Sequence, residues 1–323
     1  MTKAPLSDDP CVAVIDLGSN SIKLLVASRG EDGSPLRVLD AKTLETRISE
    51  GISHANPRLT PAAFQAGLVS VGELYEDATK HNPAAIKLVA TSMVRDAENG
   101  PEFMAAIKAK TGLQCTILSG PEEAEGIARG IACDPACQGA DAFDLMDIGG
   151  GSFEFVSFQA HQPRQLVSLQ LGAVRMLEIC VKDPTAPVDP ETAATIKTHT
   201  QTALKASGFQ FNQEGAPLVA TGGAFSVARA ILAGRAGLSL QASDPVLTRT
   251  QLCDLATELG ALPLAQRALL PLVPPKRADI LPTALLTILA AMEFAGADSC
   301  THSFYNLRFG IAAELLEKLR LPA

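Results

Sequence analysis

The sequence predicts an α/β protein built from two related domains. Three observations carry that expectation. Strand-like and helix-like segments alternate along the chain. A segment over residues 14–26 (VIDLGSNSIKLLV) returns over residues 145–157 (LMDIGGGSFEFVS), aligning Asp16 with Asp147, Gly18 with Gly149 and Ser21 with Ser152. The chain has 323 residues, enough for about two domains. The repeat offset from Asp16 to Asp147 is 131 residues, which is the size of a domain and far longer than a solenoid period.

In the first half, Cys11 to Asp16 (CVAVID) is a short β-branched run that fits a strand buried on both faces. Ile22 to Ala27 and Leu36 to Ala41 continue it as a meander through turns at Gly18-Ser19-Asn20-Ser21 and Glu31-Asp32-Gly33-Ser34. Thr60 followed by Pro61 starts a helix that runs to about His81. Ala85 to Ala90 is a strand, Pro101 to Thr111 a helix and Gln114 to Leu118 a strand. The pattern restarts with strands at Phe143 to Asp147, Phe153 to Phe158 and Gln165 to Leu171. A helix follows from Asp189-Pro190-Glu191 to about Ser207, then a strand at Leu218 to Ala220 and a helix from about Ala224. Further helices are expected over about 248–261, 263–270 and 276–295, a strand near Cys300 to Ser303, and an amphipathic helix over Phe309 to Leu319.

Composition narrows the function. Lys and Arg number 27 against 35 Asp and Glu, and the net charge of −8 argues against a broad electrostatic surface for nucleic acid or anionic membrane. With only 4% aromatic residues and no Trp, there is little to stack on single-stranded bases. Met1 to Pro10 carries no apolar run, so neither a secretory signal nor a transit peptide is expected and the cytoplasm is the expected location. The greasy stretch Ile280 to Ala297 is broken by Pro282, Thr283, Thr287 and Glu293 and reads as a buried helix, with no membrane span. Seven cysteines without a CxxC pair point away from disulfides and structural zinc, Cys133 and Cys137 being the only close pair. His54, His81, His161, His199 and His302 have no metal-binding spacing and read as surface or packed residues.

Three glycine turns suggest where an anion would be held. In Asp16-Leu17-Gly18-Ser19-Asn20-Ser21, glycine permits close backbone approach, successive N–H groups can cradle an anion, and Asp16 can hold hydrated Mg²⁺ or water. Alone, the motif serves equally as a plain hairpin turn. Its echo in Gly149-Gly150-Gly151-Ser152, after Asp147, favours phosphate, since consecutive glycines cost entropy with no other evident return. Thr221-Gly222-Gly223 joins a strand to a helix and is either a third anion turn or a tight connection.

The carboxylates divide by role. Ser119 as N-cap places Glu122 at the third helical position, where it completes a capping box. Glu123, about 100° around the helix, is not explained by the cap and either faces a cleft or is solvated. Glu154 lies opposite Phe153 and Phe155, on a face that is surface or site. Arg95 either grips phosphate or pairs with Asp96 or Glu98.

Taken together, VIDLGSNSIKLLV, VATSMVRDAEN, ILSGPEEAEGIARG, LMDIGGGSFEFV, LQLGAVRMLE and VATGGAFS resemble, in order and approximate spacing, the exopolyphosphatase / guanosine pentaphosphate phosphatase (Ppx/GppA) family over nearly the whole chain. The resemblance implies an actin-like ATPase superfamily fold: two ribonuclease-H-like domains facing a cleft. These would be residues 1–123 with 305–323, completed by the C-terminal helix, and residues 124–304. It implies Glu123 as the base that activates water, with Glu154 and Arg95 also catalytic. Asp16, Gly18, Ser19, Asn20, Ser21, Gly149, Gly150, Gly151, Ser152, Thr221, Gly222 and Gly223 would bind phosphate, and Asp147, Glu154 and Asp16 the metal. Mg²⁺ is the implied cofactor, with Mn²⁺ as a substitute and K⁺ as an accessory cation, and a homodimer is compatible with the resemblance.

The expected activity is release of terminal orthophosphate from inorganic polyphosphate. Alternatives are 5′-phosphate removal from guanosine pentaphosphate, the stringent-response nucleotide; a sugar or acetate kinase, disfavoured by the short length and paired glutamates; and a non-catalytic polyphosphate or alarmone sensor. Two departures stand out: no additional helical domain follows the two expected ones, and Leu307-Arg308-Phe309-Gly310 carries Phe309 where the family shows an acid.

Overall fold

In a computed structural model, the described residues are 10–31, 35–137, 140–160, 162–212 and 216–319. Most of the expected turn at Glu31 to Ser34, the first nine residues and His161 lie outside them. The first sheet comprises β1 (Val12–Leu17), β2 (Ile22–Arg29), β3 (Leu36–Leu44), β4 (Ala85–Ala90) and β5 (Cys115–Ile117), in the order β3-β2-β1-β4-β5. β1 to β3 form the expected antiparallel meander, while β4 and β5 run parallel to β1. α1 (Pro61–Thr79), α2 (Ser92–Asp96), α3 (Gly100–Thr111) and α4 (Gly120–Ala132) belong to the same half of the sequence.

The second sheet repeats the plan. It contains β6 (Ala142–Ile148), β7 (Phe153–Gln159), β8 (Gln162–Leu169), β9 (Leu218–Gly222), β10 (Val246–Thr248) and β11 (Ser299–His302). Its order, β8-β7-β6-β9-β11, matches the first sheet strand for strand, and β10 adds one antiparallel edge strand. This is the duplicated α/β architecture that the 131-residue echo predicts, in the form that the family resemblance implies. The accompanying helices are α5 (Ala173–Cys180), α6 (Pro190–Ser207), α7 (Gly223–Arg235), α8 (Arg249–Gly260), α9 (Leu264–Arg267), α10 (Leu281–Ala295) and α11 (Leu307–Lys318).

Local chemistry sets several boundaries. Thr60 accepts from Ala63 N at 3.1 Å and Asp189 from Thr192 N at 2.6 Å, each just before a proline at the first helical position. Two expectations are corrected. The helix expected over 276–295 begins only at Leu281, because Pro282 fits a first turn but would break a helix already two turns long. The helix expected over 263–270 is the four-residue α9, where buried Arg267 instead donates to Leu259 O, Leu262 O and Ala278 O and ties down the proline-rich loop that follows. α2, α5 and β10 are additions without strong sequence signals; neither helix has a capping side chain.

The two halves share a core. α11 packs on β1, β2 and α4, while α4 also packs on β7 and β8, so these two helices lie between the sheets. Val12, Val14 and Leu25 from one sheet and Leu145, Val156 and Phe158 from the other meet Ile127, Ile131, Phe309 and Leu316 there. The helices approach closely at glycine: a Cβ on Gly310 would collide with Gly126 O and lie 2.9 Å from Gly130 N. α10 is buried against α5, α6, α7 and α8, as its apolar sequence predicts.

Candidate active site

The glycine turns converge because each follows the C-terminal end of a central strand. Gly18 N donates to Ser21 O at 3.2 Å, and Gly149 N donates to Ser152 O at 3.0 Å, so the two hairpins close in the same way. They also meet. A Cβ on Gly150 would lie 2.9 Å from Ser19 Cβ, and one on Gly151 would lie 2.5 Å from Ile52 Cδ1 and collide with Ser92 Oγ. Ser19 and Ser92 share a hydroxyl hydrogen bond of 2.8 Å. The third turn contributes Gly222 at φ +115°, where a Cβ would lie 2.9 Å from Asp147 Oδ1. Its conformation and its neighbours both require glycine.

One pocket lies where the turns meet. Its walls include Asp16, Gly18 to Ser21, Lys23, Glu123, Asp147, Gly149, Gly150, Ser152, Glu154, Gly222 and Gly223. Glu123 enters from the first turn of α4, while its neighbour Glu122 is spent on the capping box, its Oε2 accepting from Ser119 N at 2.8 Å. Glu154 is 1% exposed and accepts from Ser168 Oγ at 2.7 Å. Asp16 and Lys23 face each other across β1 and β2, and Asp147 and Glu154 do so across β6 and β7.

The sequence profile of the Ppx/GppA phosphatase family matches residues 25–319. The chain belongs to that family. The protein is therefore a phosphatase. Relatives of the Ppx/GppA chain include an exopolyphosphatase 2 of Mycobacterium tuberculosis, 29% identical over 94% of this chain and 98% of the relative. A guanosine-5′-triphosphate,3′-diphosphate pyrophosphatase of Vibrio campbellii is 29% identical over 96% of this chain, which spans 60% of that longer protein. Among solved structures, an exopolyphosphatase from Cytophaga hutchinsonii superimposes with a TM-score of 0.84 at 21% identity, covering 95% of this chain and 98% of the other. The Ppx/GppA family member of Aquifex aeolicus gives 0.78 at 22% identity, over 97% and 99%. Those two likenesses concern the fold.

In this Ppx/GppA phosphatase, burial dominates the electrostatics. Glu123 is held well above the usual carboxylate range by desolvation and then by the charge of Glu154. Glu154 is lifted to about 7 by burial and then by Asp147, and Asp147 to about 6 by burial, against the opposing pull of Lys23. Asp16 is raised and Lys23 lowered, each by desolvation and each partly restored by the other. Lys23 and Arg95 offset these acids only in part, and a bound cation would add to that counter-charge.

Not every expected residue forms the wall. Gly151 and Thr221 lie just beneath it, both buried. Arg95 lies behind Glu123: its guanidinium donates to Glu123 Oε2 at 3.2 Å and Leu118 O at 2.8 Å, with Asp96 3.7 Å away. Sequence reading missed Lys23, Arg277, Asn306 and the apolar wall of Ile280, Leu281 and Ala284. Lys23 had a readable signal, being the charge in the strand IKLLVA and the counterpart of Glu154 in the internal repeat. Arg277 had none; it reaches the Gly222-Gly223 turn because Glu45, from the other half, accepts from its Nε at 2.5 Å. Phe309 is buried 4.3 Å from the Tyr305 ring, outside the pocket, so the departure at that position alters packing between the sheets.

The residues present fit a hard divalent cation. Asp16 Oδ1 is buried without a hydrogen-bond partner, a position a cation or its water would satisfy. Among the described residues no three His, Cys, Asp or Glu groups converge closely enough to chelate a metal. That donor set suits Mg²⁺, which keeps several waters and binds through one or two carboxylates plus substrate phosphate.

Proposed function

We propose that this phosphatase is an exopolyphosphatase that releases terminal orthophosphate from inorganic polyphosphate with Mg²⁺ as cofactor. The observation that carries the reading is a buried glutamate, Glu123, aimed across a pocket whose other walls are glycine turns and paired strand-end acids. Backbone N–H groups of Ser19 to Ser21, Gly150 to Ser152 and the Gly222-Gly223 turn hold the terminal phosphoryl group, the Gly18 and Gly149 N–H groups being spent on closing the hairpins, and Lys23 and Arg277 balance its charge. Glu123 accepts a proton from water as the water oxygen attacks phosphorus in line; the bridging P–O bond breaks and the shortened chain leaves. Burial and the charge of Glu154 raise its proton affinity, which makes its carboxylate a stronger base. Asp16 and Asp147 would hold Mg²⁺, with Glu154 reaching it through the ion's waters, since no three of these groups converge to chelate it directly; when bound, the ion supplies charge neutralisation on the phosphoryl oxygens. Arg95 holds Glu123 Oε2 and so fixes the direction in which the base points.

Guanosine pentaphosphate is the second reading. It is favoured by the apolar wall of Ile280, Leu281 and Ala284 beside the Gly222-Gly223 turn, a surface suited to a purine ring. The seven cysteines are free, which fits a cytoplasmic enzyme, and no helix among the described residues is long and apolar enough to cross a membrane. The test is orthophosphate release with Mg²⁺ from short and long polyphosphate, guanosine pentaphosphate and ATP, by wild type and Glu123→Gln. Release from polyphosphate that disappears in the variant supports the first reading. Release from the guanosine compound alone supports the second, and full turnover by Glu123→Gln overturns the assigned base.

A further inference from the structure

The second glycine turn is held from behind by α5. Ala173 N donates to Gly149 O at 3.0 Å, and Val174 N and Arg175 N donate to Gly150 O at 2.8 and 3.2 Å. The third carbonyl, Gly151 O, is taken by a side chain: Arg175 Nε donates to it at 2.9 Å. All three glycine carbonyls thus face α5. Because a peptide's C=O and the following N–H point in opposite directions, the N–H groups of Gly150, Gly151 and Ser152 are turned away from α5.

Arg175 does more than close that set. It is buried, and its guanidinium crosses to the first half, where Nη1 donates to Ile52 O at 2.7 Å and Nη2 to Asp96 Oδ2 at 2.7 Å. Asp96 is the next residue after Arg95, whose own guanidinium lies 3.7 Å from Asp96 Oδ1 and donates to Glu123. With Asp96 engaged by Arg175 on one oxygen, Arg95 is left free to spend its Nη1 on Leu118 O and Glu123. One turn further along α5, Glu178 accepts from Gly51 N at 2.8 Å and Ser53 N at 2.9 Å, so the same helix grips the first half twice.

We propose that Arg175 is a positioning residue for hydrolysis: it fixes the peptide orientation of the Gly149 to Ser152 turn and, through Asp96, keeps Arg95 directed onto Glu123. The inference rests on reading Glu123 as the base and the turn as a phosphate cradle. Lysine cannot replace the arginine, since one ammonium cannot span three acceptors held in a planar fork. A merely structural ion pair would instead lower thermal stability and leave turnover per folded molecule unchanged.

The experiment compares kcat and KM for orthophosphate release in wild type, Arg175→Lys, Asp96→Asn, their double variant and the surface control Arg235→Ala, all below their unfolding temperatures. Asp96→Asn is expected to lower kcat about tenfold with KM within twofold, because Arg175 keeps its bonds to Gly151 O and Ile52 O and still holds the cradle while the Glu123 branch is loosened. Arg175→Lys is expected to lower kcat at least as much and also to raise KM, since it loosens the cradle too. The double variant should match Arg175→Lys alone, because both act through one chain of contacts. Wild-type kcat and KM in Arg175→Lys, or additive losses in the double variant, overturn the inference. If wild type releases no phosphate from any substrate, the functional reading fails, and amide hydrogen exchange then decides: faster exchange at 150–152 and 120–124 in Arg175→Lys upholds the positioning role, and unchanged exchange overturns it.

Discussion

The hairpins β1–β2 and β6–β7 share one backbone and carry opposite chemistry. Each closes with a glycine N–H bonded to a serine carbonyl three residues on, and each sets an aspartate opposite the second residue of the returning strand. That second residue is Lys23 in the first hairpin and Glu154 in the second. The first half therefore brings a cation to the pocket and the second brings a further acid. Their neighbours differ accordingly, since Asp16 is partly neutralised by Lys23 while Glu154 relies on Ser168 and rises to about 7. Duplication preserved the geometry that presents backbone amides, and divergence at one paired position made a single asymmetric site from two similar halves.

Breaking that asymmetry should have its largest effect at Glu154. Glu154→Gln is expected to reduce orthophosphate release by about a thousandfold, within the range seen for a positioned acid or base; near-normal turnover would show that the second hairpin's acid is dispensable. The same residue should set the pH dependence of stability when no divalent cation is present. Its folded-state affinity for a proton exceeds that of the unfolded chain, so folding is favoured most below about 4.5 and loses stability as pH rises toward 7. The contribution of Glu154 to the loss over that window is about 3 kcal/mol, measurable by denaturant titration in chelator, and Glu154→Gln should reduce the slope while the raised Asp147 and Glu123 sustain the remainder.

Gly151→Ala would drive a methyl group into Ser92 and Ile52 and force the hairpins apart, at a cost of about 2 kcal/mol in thermal unfolding. Lys23→Met leaves the fold of the first hairpin intact and removes its cation. KM for a polyanionic substrate should rise about tenfold, with kcat changed much less; an unchanged KM would mean that backbone amides alone supply the affinity. The smallest effect belongs to Gly149→Ala. The added Cβ would sit 3.3 Å from Ser152 O, against 2.8 Å from Ser21 O for the equivalent Gly18→Ala, so the first hairpin should tolerate the change less well in unfolding experiments.

Much of this was readable before any coordinates. The capping box at Ser119 and Glu122 separated two adjacent glutamates into a structural one and a candidate base, because helix periodicity allows only one of them to serve the cap. The internal repeat predicted both sheets, since strand alternation and turn chemistry are local properties. Arg175 was not legible: its meaning comes from Ile52 and Asp96, more than seventy residues away, and α5 begins at a glycine with no capping side chain to announce it. Arg277 was hidden for the same reason, its direction being set by Glu45 from the other half.

By itself, then, the chain's pattern of periodicity, caps and glycine turns determined the duplicated α/β plan and marked most of the residues that line the pocket. Only the tertiary structure decided which of those residues face one another, which acids lose their solvent and gain proton affinity, and which guanidinium holds which carboxylate. Those properties depend on distance and burial across two sheets, and neither quantity is carried by spacing along the chain.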